Sequence, residues 1–483
     1  MKLRGADVLA RALAAAGTKH VFALSGNHIM PVFDAALEAQ LSLVHVRHEA
    51  AAAHMADAWG RLTGQPGIAL VTGGPGHANA VSALYTALTA ESPMLLISGH
   101  APLDELGKGA FQEMRQADVA APLAKASWTA QSVDRLAQDV VLAWRLALSS
   151  RPGPVHLSVP NDVLDAFTDS SLPERKHFEV DGARTAPPPE LLEAKRPLII
   201  AGPSAMREPL DCGIPVIGME SPRGVNDPSL GRLAEVLKKA DVVLLLRKRL
   251  DFTLRFGKAF AADCQLLHAE SLSRDFSVRR GEWFDEVRAA LRFRPAEWSA
   301  IRESLHPAAV CREVQKLLDA PDAVLVSDGG EFGQWAQACL RAPRRVINGP
   351  AGSIGSALPF AAAAKLALPR SRVVAMLGDG TFGFHMSEID TAVRYGLDYI
   401  AVTGNDATWN AEYQIQLRTY GADRARGCEL LPTRYGAVAA AMGAHGEDVL
   451  SFEQLGSGLD RAATSGKPAC VNVMIERVAA PKY

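Results

Sequence analysis

At 483 residues the chain is long enough for about three domains, each with a core of its own. Its 51 Lys and Arg nearly balance 53 Asp and Glu, and the resulting charge of −2, scattered along the chain, excludes a basic face for nucleic acid. Six cysteines (Cys212, Cys264, Cys311, Cys339, Cys428 and Cys470) lie far apart with no CxxC pair, which argues against a zinc site or a disulfide framework and fits reduced thiols in a cytoplasmic enzyme.

Met1 to Ala16 is apolar, but Arg4, Asp7 and Arg11 interrupt it, so it reads as a first helix and not as a signal peptide. From Ala6 to Val163 helical periods alternate with short apolar runs, Val21–Leu24, Leu43–Val46, Ile68–Val71, Met94–Ile97 and Val155–Ser158, the pattern of a parallel sheet covered on both faces. Polar loops follow these runs: Ser25-Gly26-Asn27-His28, then Arg47-His48-Glu49 at the start of an Ala-rich helix, then Thr72-Gly73-Gly74-Pro75-Gly76-His77-Ala78-Asn79. The last of these is not a dinucleotide fingerprint, because Asn79 holds the third glycine position, and Gly466-Lys467 lacks the leading glycine of a phosphate loop. Glu49 in a first helical turn gains ~0.3–1 kcal/mol from the helix dipole whatever else it does.

The stretch from Lys176 to Glu190, with Pro187-Pro188-Pro189, reads as a linker. A second α/β segment runs from about Arg196 to Glu270, with strands near Leu198–Ile200 and Val242–Leu245. A charged helical passage then leads to about Pro307. In the third block, Asp328-Gly329-Gly330-Glu331 follows Val324–Val326, and Gly352-Ser353-Ile354-Gly355-Ser356 reads as a glycine-rich helix start or a close approach to a ligand. No apolar run reaches the ~20 residues that would span a bilayer.

The block's most informative stretch is Gly378-Asp379-Gly380, which closes the run Val373–Leu377 and is answered by Asn405-Asp406 after Tyr399–Val402. Between them Met386, Ile389, Ala392 and Val393 recur at helical spacing, giving a right-handed βαβ unit whose two loops leave one sheet edge. Gly-Asp-Gly alone is an ordinary turn. With strands ~5 Å apart, however, Asp379 and the Asn405-Asp406 pair can share a hard cation and the phosphates it holds.

This spacing resembles the signature of thiamine-diphosphate-dependent enzymes, Gly-Asp-Gly followed by a paired Asn-Asn. The likeness covers nearly the whole chain and is strongest to the branch of acetolactate synthase, oxalyl-CoA decarboxylase, 2-hydroxyacyl-CoA lyase and benzaldehyde lyase. It implies an α/β chain of three domains, each a mostly parallel sheet flanked by helices: pyrimidine-binding (1–175), a shortened middle domain (190–300) and diphosphate-binding (308–483). By the family pattern Asp379, Asp406 and the Thr408 carbonyl hold Mg2+, with Asp406 departing from the usual Asn. Gly329, Gly330, Gly378, Gly380 and Thr381 belong with the diphosphate, Gly74, Pro75 and Gly76 border the pyrimidine, and Ile354 bends the cofactor. Arg47-His48-Glu49 resembles the motif whose glutamate activates the aminopyrimidine, which makes Glu49 the catalytic candidate.

Gly109-Ala110-Phe111-Gln112-Glu113 resembles a pocket motif of the branch, so Phe111 and Gln112, with Asn27, His28 and His77, are substrate-pocket candidates; His77 suits a structural role as well. Only ten residues separate Ala201-Gly202-Pro203 from Ile214-Pro215-Val216, where such folds carry a full helix, so FAD is expected to be absent. The resemblance implies decarboxylation of a 2-oxo acid and carboligation of the enamine to a second carbonyl, as in acetolactate synthase. The alternatives are a C–C lyase on 2-hydroxyacyl-CoA or 2-hydroxy ketones, which Arg249-Leu250-Asp251-Phe252, Arg255-Phe256-Gly257 and Pro432-Thr433-Arg434-Tyr435-Gly436 also resemble, and an inactive cofactor-binding regulatory homologue. Small carbonyl compounds are the implied partners, in a homodimer or homotetramer with active sites at the dimer interface, without nucleic acid or membrane.

Overall fold

The computed structural model describes residues 2–180, 182 and 184–481, which fall into two compact units, Met1–Gly182 and Ala183–Tyr483. In the first, strands β1 (His20–Ala23), β2 (Ser42–His45), β3 (Gly67–Val71), β4 (Met94–His100), β5 (Ala126–Thr129) and β6 (Pro154–Pro160) form one parallel sheet in the order β2-β1-β3-β4-β6-β5. β4 and β6 are buried from end to end and pair over their full length, as expected of central strands covered on both faces. The crossovers are helices, among them Glu49–Thr63, Pro75–Thr89 and Val133–Leu148. The polar, half-buried edge strand β5 carries no apolar run and gives no strand signal in the sequence.

The expected first helix is Gly5–Ala16, which buries Ala6, Leu9, Leu13 and Ala16 at helical spacing and ends on Gly17 in the left-handed conformation; Met1 lies outside the described residues. It is preceded by a two-residue strand, Leu3–Arg4, that pairs antiparallel with Phe167–Thr168. The linker expected over 176–190 includes Asp181 and Ala183, outside the described residues, and begins later than the sequence implies. Phe178 is buried in the first unit, its ring 5.7 Å from that of Trp144.

The second unit holds two parallel sheets. One comprises β7 (Pro197–Ala201), β8 (Val216–Gly218), β9 (Val242–Leu246) and β10 (Gln265–Ala269) in the order β8-β7-β9-β10. The other comprises β11 (Val324–Ser327), β12 (Arg344–Ile347), β13 (Val373–Gly378), β14 (Ile400–Asn405), β15 (His445–Val449) and β16 (Ala469–Met474) in the order β12-β11-β13-β14-β16-β15. Numbered within each sheet, both six-stranded sheets read 2-1-3-4-6-5 and the four-stranded one reads 2-1-3-4. The chain therefore repeats one winding three times, and each repeat puts its loops at the carboxyl edge of a parallel sheet, where such folds bind ligands. No helix among the described residues is long and apolar enough to cross a membrane.

Candidate functional site

The cofactor and metal candidates in the last third of the chain all line one cleft of about 290 Å³ in the second unit: Gly329, Gly330, Ile354, Gly378, Asp379, Gly380, Thr381, Asp406 and Thr408. The register explains the convergence. Gly378 pairs with Gly404 across β13 and β14, so the residues that follow leave neighbouring strands side by side. Helices Gly330–Cys339 and Asn410–Tyr420 begin at the cleft wall, and their N-terminal dipoles favour an anion there. At Gly380 a Cβ would fall 2.5 Å from the Trp409 indole, so only glycine allows this close packing. The Thr381 hydroxyl donates back to the Gly378 carbonyl (2.9 Å) and closes the turn.

The floor of the cleft is acidic. Asp379 is 2% exposed, and its Oδ2 is buried without a hydrogen-bond partner among the described residues. Burial pushes its carboxyl up to about 6, and burial together with the Asp379 charge pushes Asp406 up to about 7. An orphaned carboxylate oxygen beside a second carboxylate suits a hard divalent cation, which would relieve the repulsion that helps to raise Asp406. Among the described residues no three His, Cys, Asp or Glu side chains cluster as a metal site, so a third protein ligand would have to be a carbonyl such as that of Thr408. Between Asp406 and Thr408, Ala407 is held at φ +52°, the left-handed region that a side chain disfavours. The strained turn is fixed on both sides: Leu430 N–H donates to Ala407 O and Trp409 N–H to Cys428 O, each at 2.8 Å.

Sequence reasoning missed the residue that shapes the Ile354 turn. Asp328 is fully buried, and its carboxylate accepts N–H bonds from Gly329 (2.8 Å), Gly355 (3.0 Å) and Ala357 (3.1 Å), thus holding the backbone just past Ile354. Burial raises its carboxyl to about 6 despite these donors, so it is ionised above that pH. The helix begins at Ala357 with Ser356 as its N-cap, so Gly352–Gly355 is the loop that leads into it. The Ile354 side chain packs on Gly329, where a Cβ would lie 2.9 Å from its Cγ2. Ser221, Pro222 and Arg223, from the loop after β8, also line the cleft, tethered by the Glu220–Arg345 ion pair at 2.6 Å. Nothing local in the sequence marks them, because their role depends on a partner 125 residues away.

In the first unit the remaining candidates gather at one sheet edge. Glu49 opens helix Glu49–Thr63 behind His48, whose ring accepts the Ala50 N–H (3.1 Å) as an N-cap. Its carboxylate is 9% exposed; Oε2 accepts from the Asn79 amide at 3.0 Å, and Oε1 lies 3.3 Å from where a Gly76 Cβ would stand. The sequence reading used Asn79 only to exclude a dinucleotide loop. His28 is buried beside Thr72 (Nδ1 to Oγ1, 3.2 Å), with the exposed Phe111 ring stacked 6.1 Å away. Gln112, at φ +57°, packs its backbone on Gly74, and Asn27 is exposed beside His28. His77 turns inward instead: it is fully buried, bonds Ser98 Oγ through Nδ1 (2.8 Å) and stands 4.6 Å from the His156 ring, while burial lowers its pKa to about 4. These contacts are those of a neutral histidine within the core, the structural role the sequence left open.

Comparison with known proteins gives a family for both halves of this geometry. Residues 3–119 match the thiamine pyrophosphate enzyme N-terminal TPP binding domain, and residues 328–473 match the C-terminal TPP binding domain of the same family. The chain is 33% identical to the acetolactate synthase large subunit of Mycobacterium tuberculosis, covering 97% of this chain and 95% of that protein. It is also 29% identical to 2-hydroxyacyl-CoA lyase 2 of Danio rerio (98% and 91%) and 28% identical to the human protein of that name (98% and 90%). The alignment with the mycobacterial protein extends over 526 positions, more than the 483 residues of this chain, so that relative carries segments this chain lacks.

Two outcomes follow from the acidic floor. Because the folded-state values of Asp379 and Asp406 lie above the ordinary carboxylate range, the stability these groups contribute is complete below about pH 4 and is lost as the pH rises through about 6 and 7. In chelator at pH 8, Asp406→Asn should therefore melt higher than wild type, by roughly 2–4 °C per kcal/mol recovered. The difference should shrink below pH 6 and close on adding Mg2+; thermal melts across pH check it. Asp328→Asn, which turns a donor toward the Gly355 and Ala357 N–H groups, should destabilise the second unit by about 1–3 kcal/mol, measured by urea unfolding.

Proposed function

The chain belongs to the thiamine pyrophosphate enzymes, and from that premise we propose that it decarboxylates a 2-oxo acid and joins the remaining acyl unit to a second carbonyl compound, as an acetolactate-synthase-like carboligase. The observation that carries the reading is the pairing of a sequestered carboxylate beside a glycine turn, Glu49 with Gly76, and a two-carboxylate cleft flanked by helix starts, Asp379 with Asp406. In this reading Asp379, Asp406 and the Thr408 carbonyl hold Mg2+, and Gly329, Gly330, Gly378, Gly380 and Thr381 receive the diphosphate. Thiamine diphosphate, when bound, supplies an electron sink and a carbon nucleophile that side chains lack.

The chain's own residues bind, orient and move a proton. Asn79 holds Glu49 Oε2 and leaves Oε1 toward Gly76, where a ring nitrogen can share its proton. Ile354, fixed by Gly329 and by the Asp328-bound turn, is the side chain that would orient the cofactor's rings. Phe111, Gln112, Asn27 and His28 face the carbonyl substrates. FAD has no role here, a view supported by the segment between β7 and β8, which makes a single turn, Ala205–Arg207, in place of a helix.

Glu49 and Asp379 belong to different units, and we infer that they meet across the interface of a homodimer or higher homo-oligomer. A second reading, cleavage of 2-hydroxyacyl-CoA, is favoured by a second cavity of about 650 Å³, which shares Pro222 and Arg223 with the cleft and adds Arg232, Asn226 and Phe252. Its wall also carries Glu235, which pairs with Arg232 at 3.8 Å, so the basic contact for a phosphorylated carrier would come from Arg223, beside the Phe252 ring.

With Mg2+ and thiamine diphosphate, wild type should release carbon dioxide from 2-oxo acids, whereas aldehyde release from 2-hydroxyacyl-CoA would favour the lyase. Glu49→Gln should lower turnover by about 10²–10⁴-fold, and equal turnover by the two proteins would remove Glu49 from the chemistry. Co-expressed Glu49→Gln and Asp379→Ala chains, each inactive alone, should regain roughly a quarter of wild-type activity if the site is shared between subunits. They should regain none if each chain builds its own site.

A further inference from the structure

We propose that Gln116 is a positioning residue that locks the Gly74-Pro75-Gly76 turn to the substrate-facing segment 107–116, so that the two move as one piece. The proposal rests on the reading that this turn borders the cofactor's pyrimidine. Gln116 lies past the pocket motif, is 1% exposed, and uses both ends of its amide. Oε1 accepts the Gly74 N–H at 2.7 Å, and Nε2 donates to Gly99 O at 3.0 Å and to Ser158 Oγ at 2.8 Å. One side chain thus joins the loop after β3 to the ends of β4 and β6.

The fit is demanding. Gly74 sits at φ +60° with ψ −114°, and a Cβ there would fall 2.6 Å from the Gln112 carbonyl, so the turn is pressed by the Gln112 backbone while it is bonded by the Gln116 side chain. Pro75 offers no N–H, so the Gly74 N–H is the last main-chain donor before the helix begins. In a trans peptide the C=O and N–H point in opposite directions. Fixing the Gly74 N–H therefore also fixes the Gly73 carbonyl, which is turned away from Gln116. The other end of the segment is tied as well, since Glu113 accepts from the Gly109 and Ala110 N–H groups, each at 3.1 Å. Phe111 and Gln112 are held between these two clamps, and their distance from Glu49 depends on Gln116, since Gly76 lies against both the bonded turn and Glu49 Oε1.

The alternative is that Gln116 merely fills a polar gap in the core, and the test separates the two. Gln116→Met keeps the length and removes all three bonds; Gln116→Glu keeps the acceptor for Gly74; Ser158→Ala removes one outer partner and serves if the first variant folds poorly. Hydrogen–deuterium exchange of the full chain should show protection at Gly74 falling at least tenfold in Gln116→Met but not in Gln116→Glu. Turnover of Gln116→Met should drop at least tenfold, with the apparent affinity for thiamine diphosphate and Mg2+ changed less than threefold, because the diphosphate cleft lies in the other unit. Ser158→Ala should show a smaller loss of the same kind. Unchanged Gly74 protection in Gln116→Met, or turnover that falls only in step with melting temperature, overturns the proposal. If wild type binds no thiamine diphosphate, the functional reading fails by itself, and Gly74 protection still decides whether Gln116 holds the turn.

Discussion

Two carboxylates set on adjoining strand ends, Asp379 buried and Asp406 half-buried, are the constraint on which the second unit depends. Asp379 and Asp406 are costly neighbours: burial pushes Asp379 up to about 6, and burial together with the Asp379 charge pushes Asp406 up to about 7. A fold driven by stability alone would avoid the arrangement. The surroundings instead maintain it, with Gly378 and Gly404 paired across the strands, Ala407 held in a strained conformation and Trp409 seated on Gly380. Two helix starts and Arg223 face the same space, so the cleft offers oxygen ligands to a cation and helix N-terminal dipoles to an anion at once. A metal and diphosphate together satisfy both demands, whereas either alone leaves one unmet.

The repeated winding makes this possible. Both six-stranded sheets share the order 2-1-3-4-6-5, and in each the informative loops follow strands at the carboxyl edge. The first sheet uses that edge for Glu49, Asn79, His28 and Phe111, the last for the acidic pair and its glycines. One architecture thus yields an edge with a sequestered carboxylate in one unit and an acidic cleft flanked by helix starts in the other.

How much could be read from the sequence depended on how local each signal was. Gly378-Asp379-Gly380, Asn405-Asp406 and Glu49 announce themselves because each lies directly after a strand-like run, and the structure gathers the last-third candidates at one cleft. The central strands were legible from their apolar runs, but β5 was not, since an edge strand need not be apolar. Asp328 was quoted only as part of a loop, and its three N–H partners lie up to 29 residues on, a relation no local pattern encodes. Gln116 and Arg223 were invisible for the same reason. His77 carried a functional motif's position yet turns inward to Ser98, because side-chain direction on a helix start follows packing and not the motif.

The central claim is that the acidic cleft binds a metal-bridged diphosphate, and calorimetric titration with thiamine diphosphate tests it most directly. The account predicts one site per chain in Mg2+, loss of binding in chelator or in Asp379→Ala, and retention of binding in Glu49→Gln. Equal binding with and without metal, or undiminished binding by Asp379→Ala, would contradict it.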